Sequence, residues 1–157
     1  MRHPLSTRGP LLALALIGCA LVVPAAASAS KASIRRAIVQ ASPKIAIVEG
    51  HILSAEGEYT STKDPAPVEA AIDKSVAALG ALKHRIAAQS ASTPKVKSAK
   101  SKIVKGLAAV IVGYGHLKAG FADKASNQQE AEAEVASALA AVKTGRKELK
   151  AGVALLK

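Results

Sequence analysis

Apolar residues recur along this chain in alternating steps of four and three, and they do so in four separate runs. The first run is Ile34, Ile38, Ala41, Ile45, Val48, Ile52, Ala55 and Tyr59, and the second is Val68, Ile72, Ser75, Leu79, Leu82 and Ile86. The third is Val96, Lys100, Ile103, Leu107, Val110, Tyr114, Leu117 and Phe121. The fourth is Val135, Leu139, Val142, Arg146, Leu149, Val153 and Leu156. A 4-3 repeat holds one stripe on a single side of a helix and turns it toward partner helices. Four helices are predicted, over about residues 31–59, 66–90, 94–122 and 127–156.

Breakers separate the runs. Asp64-Pro65 and Pro67 lie in the first link, and Thr93 with Pro94 offers an N-cap and a first helical residue for the third helix. Ser126 and Asn127 are candidate caps for the fourth. Short links make consecutive helices antiparallel neighbours. The expected fold class is all-α: an antiparallel, up-down-up-down, heptad-packed four-helix bundle (residues 30–157) after an N-terminal signal segment (residues 1–29). Pro43 falls on the outward face of the first helix, where it should kink that helix or start a second segment capped by Ser42. Gly106, Gly113 and Gly120 stand one heptad apart beside the third stripe. They predict close approach of a neighbouring helix, the alternative being a flexible or membrane-adapted helix.

The signal segment is read from Arg2 and Arg8, the apolar run Leu11–Val23, Pro24 and the small residues Ala25–Ser30, which suit export with cleavage near Ala29. Thirteen residues rise about 20 Å, short of the roughly 30 Å hydrocarbon core, so no transmembrane span is expected in the mature chain. Leu16-Ile17-Gly18-Cys19 resembles the lipobox of bacterial lipoproteins, which would imply lipidation at Cys19. The apolar run continues past Cys19, however, and ordinary cleavage would remove it. Cys19 is the sole cysteine, which excludes a disulfide scaffold and a cysteine-based metal site. Either route places the protein outside the cytoplasm, secreted or in the cell envelope.

Charge becomes informative once the chain is folded head to tail. One end of the bundle should gather residues 31–44, 83–105 and 143–157, with sixteen lysines and arginines against the single Glu148, or +15. The other end gathers residues 45–82 and 106–142 and carries −6. Helix macrodipoles account for acids at the starts of the second and fourth helices. They do not account for Arg35, Arg36, Lys95 and Lys97 near the starts of the first and third. The basic end is therefore expected to bind an anionic partner, a lipid surface or a cell-wall polyanion, through Arg35, Arg36, Arg85, Lys95, Lys97, Lys100, Lys102, Arg146, Lys147 and Lys150. A solvated basic face without a dedicated partner is the competing account. Pairing of the third and fourth helices at residue numbers summing near 247 would set Lys100 level with Arg146. With Arg85 they would form the inner wall of an anion site, or else they snorkel to water.

Nucleic acid is disfavoured, because Tyr59, Tyr114 and Phe121, the only aromatic residues, lie toward the acidic end. Ser92–Lys102 is similar to a linker-histone tail in composition only. Lys95–Phe121 is similar to cationic membrane-surface peptides, although its apolar stripe equally serves as bundle core. Enzymatic chemistry is not expected: no nucleophile elbow, phosphate cradle, Glu-x-x-His pair or inward carboxylate pair stands out, and no metal or cofactor is implied. His84 and His116 point away from the stripes, toward solvent, and His51 lies on the flank of the first. The alternative function is a small-ligand, haem-like carrier using Tyr114 or a histidine.

Overall fold

The computed structural model describes residues 29–123 and 127–157. The expected signal segment, with Cys19, and the candidate cap Ser126 lie outside the described residues. Four helices account for most of the rest: α1 (Ala29–Thr62), α2 (Ala66–Ala87), α3 (Pro94–Asp123) and α4 (Gln128–Leu155). The described residues contain no strand, and the protein is an all-α helical bundle.

Local chemistry sets the helix ends. α1 runs on to Thr62 and stops where Lys63 turns left-handed (φ 62°), its N–H donating to the Tyr59 carbonyl at 2.9 Å. Asp64 Oδ1 then accepts from the Ala66 N–H at 3.0 Å as α2 begins. α2 closes three residues earlier than the pattern predicts, because its last turn tightens: the Gln89 N–H reaches the Ile86 carbonyl at 3.1 Å. Thr93 Oγ1 caps α3 by accepting from the Val96 N–H at 3.2 Å. Asn127 and Glu130 make a reciprocal cap: Asn127 Oδ1 accepts from the Glu130 N–H at 3.3 Å, and Asn127 Nδ2 donates to Glu130 Oε2 at 3.0 Å. Pro43 is exposed within one continuous α1, and no second segment starts there. Ser42 does not cap; its hydroxyl donates back to the Ile38 carbonyl at 2.8 Å.

The tightest packing joins α3 to α4. Ala99 faces Gly152, Gly106 faces Gly145, Gly113 faces Ala138 and Gly120 faces Ala131, so both helices carry a small residue once per heptad. The numbers of every facing pair sum to 251, which fixes the two helices as antiparallel and in one register. At Gly106 an added Cβ would stand 2.7 Å from the Gly145 carbonyl oxygen and 2.8 Å from the Leu149 nitrogen. The glycine stripe is thus a close approach of two backbones, as its spacing predicts.

The other neighbours are antiparallel too. α1 and α2 meet where Ser30 Oγ hydrogen-bonds Ser92 Oγ at 2.8 Å, just beyond α2, and where Arg85 Nη1 donates to Gln40 Oε1 at 3.3 Å. α2 and α3 meet where Lys118 holds both Asp73 oxygens at 2.8 and 2.9 Å. Ile34, Ile72, Ile86, Ile103, Leu107, Val110 and Leu156 are essentially inaccessible and build the core. Each contributes about 1.5–3 kcal/mol by burial.

On its fourth side the bundle is held by side chains rather than by close backbone approach, with Arg35 and Glu49 buried there. No Cα of α1 comes within 8 Å of a Cα of α4 among the described residues. The flank of α1 turned away from α2 carries Arg35, Ser42, Glu49 and Glu56, one per heptad.

Candidate functional site

Two features carry charge in a way the fold does not require: the basic end, and a buried polar cluster where α1, α3 and α4 meet.

At the basic end Arg36, Lys95, Lys97, Lys147 and Lys150 are exposed, with Lys44, Lys105, Lys143 and Lys157 beside them along the helices. Lys95 and Lys97 occupy the first turn of α3, where the macrodipole opposes a positive charge. Of the remaining candidates, Lys102, Arg85 and Lys100 are engaged. Lys102 pairs with Glu148 at 3.4 Å, and Arg85, itself exposed, donates to Gln40. Lys100 is half-buried and donates to the Gln89 carbonyl at 2.7 Å, satisfying the backbone just beyond the end of α2. Arg35 is only 6 % exposed, and its Nε has no hydrogen-bond partner. The acidic end is cross-linked instead, by Lys118–Asp73 and by His116 Nδ1 against Glu134 Oε2 at 2.7 Å.

Lys100, Arg146 and Arg85 do not form one inner wall. The register sum of 251 sets Lys100 level with Ala151 rather than Arg146, about 7 Å further along the bundle. Side chains lean toward the N-terminus of their own helix, so in antiparallel α3 and α4 these two lean apart. Arg85 lies outside, between α2 and α1.

Arg146 belongs to a different group. It lies near enough to Glu49 of α1 and Tyr114 of α3 for its charge to act on both. Tyr114 is 2 % and Glu49 is 7 % exposed, and the Tyr114 hydroxyl faces Glu49 Oε1 at 3.5 Å. Burial pushes the Glu49 carboxyl up to about 7, against the opposing pull of the Arg146 charge and the Tyr114 hydroxyl. Burial and the neighbouring Glu49 likewise raise the Tyr114 hydroxyl, and burial alone raises Glu56. Arg146 Nε and Nη2 are both buried without a hydrogen-bond partner.

Glu49 is a single buried carboxylate that the apolar stripes alone do not reveal. The signal was present: Arg35, Ser42, Glu49 and Glu56 form a polar line at heptad spacing beside the first apolar stripe. On α4, Val135, Leu139 and Val142 continue the stripe from Arg146 toward the acidic end and, with Gly113, Tyr114 and Leu117, line an apolar cleft. Leu139 is 46 % exposed at its rim, not buried as its stripe position suggests.

Comparison with protein-family models, with curated proteins and with solved structures gives no match. No helix among the described residues is long and apolar enough to cross a membrane.

Proposed function

We propose that this is an exported, non-enzymatic binding protein of the cell envelope, whose basic end contacts lipid headgroups or a cell-wall polyanion. The observation that carries the reading is the cluster of exposed, unneutralised cations at one end: Arg36, Lys95, Lys97, Lys147 and Lys150, brought together by antiparallel helices. Glu148, the one acid in those stretches, is already paired with Lys102. Concentrating like charge raises self-repulsion that dispersal would avoid, and an anionic surface relieves it. Export rests on the leader pattern in residues 1–29, with Cys19 as a possible lipidation point.

Cosedimentation with anionic and neutral vesicles, at low and high salt, tests the lipid form of this reading. Binding should require anionic lipid and weaken as salt rises. Equal binding to neutral vesicles would overturn it. The haem-like carrier is the lesser reading, since the Tyr114 hydroxyl is turned to Glu49. Titration with haem should leave the Soret band unshifted.

A further inference from the structure

We propose that the outer face of α1 docks on the same face of a second copy of this chain, running antiparallel, to form a two-fold dimer. This surface is separate from the basic-end contact with an anionic partner.

α1 carries two stripes. Opposite the one that builds the core, Val39, Pro43, Ala46, Gly50, Leu53 and Gly57 follow each other in steps of four and three. All six are exposed. Val39 is 54 % and Leu53 48 % exposed, and Ile47, beside Ala46 on the same face, is 60 % exposed. A solvated face has no need of that spacing, which holds a stripe against a single partner helix. Large apolar groups gathered on one exposed face mark an interaction surface. The glycines agree. A Cβ at Gly50 or Gly57 would meet nothing within 4 Å, so neither residue serves a close approach inside the chain, although glycine is a costly choice within a helix. On α3, glycine at the same once-per-heptad spacing admits the backbone of α4.

The order of side chains along the stripe specifies the occupant. Set antiparallel with Ala46 level with Gly50, Val39 of one copy falls level with Gly57 of the other, and Pro43 with Leu53. Each pair then occurs twice about the dyad, as a self-complementary two-fold interface requires. A parallel pair would instead set Leu53 against Leu53 and leave Gly50 facing Gly50. Charge selects the same direction. Lys44 and Glu58, both exposed, lie on one flank of the stripe at equal distances from His51. Side chains lean toward the start of their own helix, so in the antiparallel pair Lys44 of each copy leans toward Glu58 of the other. Along the whole bundle, the basic end of each copy comes beside the acidic end of its neighbour, whereas a parallel pair sets like against like.

Sedimentation velocity of the purified protein, from micromolar to millimolar concentration, tests the proposal. A reversible dimer should form and weaken as salt rises. Gly50→Leu/Gly57→Leu enlarges the apolar face, so mere stickiness would tighten association; blocked close approach should instead weaken the dimer at least tenfold. Val39→Gln/Leu53→Gln should also weaken it at least tenfold, and Val112→Gln, at an exposed apolar residue of α3, should leave it unchanged. Lys44→Glu should weaken it several-fold, and Lys44→Glu/Glu58→Lys should restore it. Circular dichroism confirms that each variant is folded. A chain that stays monomeric at millimolar concentration, or tighter association in the glycine variant, would overturn the proposal. So would an equal loss in Val112→Gln, and failure of the charge swap to rescue would overturn the antiparallel order.

Discussion

Replacing Gly106 by alanine should destabilise the bundle, although alanine is the better helix former. The added Cβ would meet the Gly145 carbonyl oxygen and the Leu149 Cγ at 2.7 Å, and the Leu149 nitrogen at 2.8 Å. Ordinary contact needs about 3.5 Å or more, and two of these three atoms belong to the α4 backbone. Relief therefore requires α3 and α4 to separate by roughly 0.7 Å, which loosens the facing pairs above and below as well. Overpacking of this kind costs about 1–3 kcal/mol, against a helix-propensity gain of up to about 1 kcal/mol. The net loss expected is about 1–2 kcal/mol, or a melting temperature lower by roughly 4–8 °C. Gly115 supplies the control on the same helix: a Cβ there meets nothing within 4 Å, so Gly115→Ala should stabilise by about 0.4–1 kcal/mol. Urea denaturation followed by circular dichroism is the assay, since the chain has no tryptophan. A Gly106→Ala variant as stable as the parent would refute the close-approach argument.

The internal cluster makes further predictions. Glu49 titrates near 7 in the fold and near 4.5 when exposed, so between those values the native state holds a proton that the unfolded state has lost. Stability should fall as pH rises from about 4.5 through 7, by up to about 3 kcal/mol. Glu49→Gln should flatten that slope and be the more stable form at pH 8, as read by urea midpoints across pH; an unchanged slope would place Glu49 in solvent. Arg146→Leu removes two unsatisfied buried donors and extends an apolar stripe, so at pH 5.5 its melting temperature should rise. A lowered value would mean that Glu49 and Arg146 pair productively.

How far the fold could be read from the chain differs between its parts. The 4-3 stripes carry helix placement because each apolar residue repeats the same instruction, and Thr93 and Asn127 mark starts by hydrogen bonds that depend on neighbours alone. The glycine line on α3 was equally direct. Its partner line, Ala131, Ala138, Gly145 and Gly152, stood at the same spacing but was masked by the abundance of alanine in α4. Register was therefore misjudged: short links set direction, whereas the depth to which facing backbones interlock sets the level. That error placed Lys100 beside Arg146. Glu49 was missed for another reason. A carboxylate flanking an apolar stripe reads as solvated until the neighbouring helices are seen to cover it, as they cover Glu49.

The most direct test of the basic-end reading moves charge without changing its amount. Lys95→Gln/Lys97→Gln/Lys150→Gln and Lys63→Gln/Lys74→Gln/Lys118→Gln have the same net charge but lose it from opposite ends. Affinity for vesicles containing anionic lipid should drop at least tenfold in the first variant and hold or rise in the second. Equal losses would show that net charge alone governs binding, and would contradict the assignment of a dedicated pole.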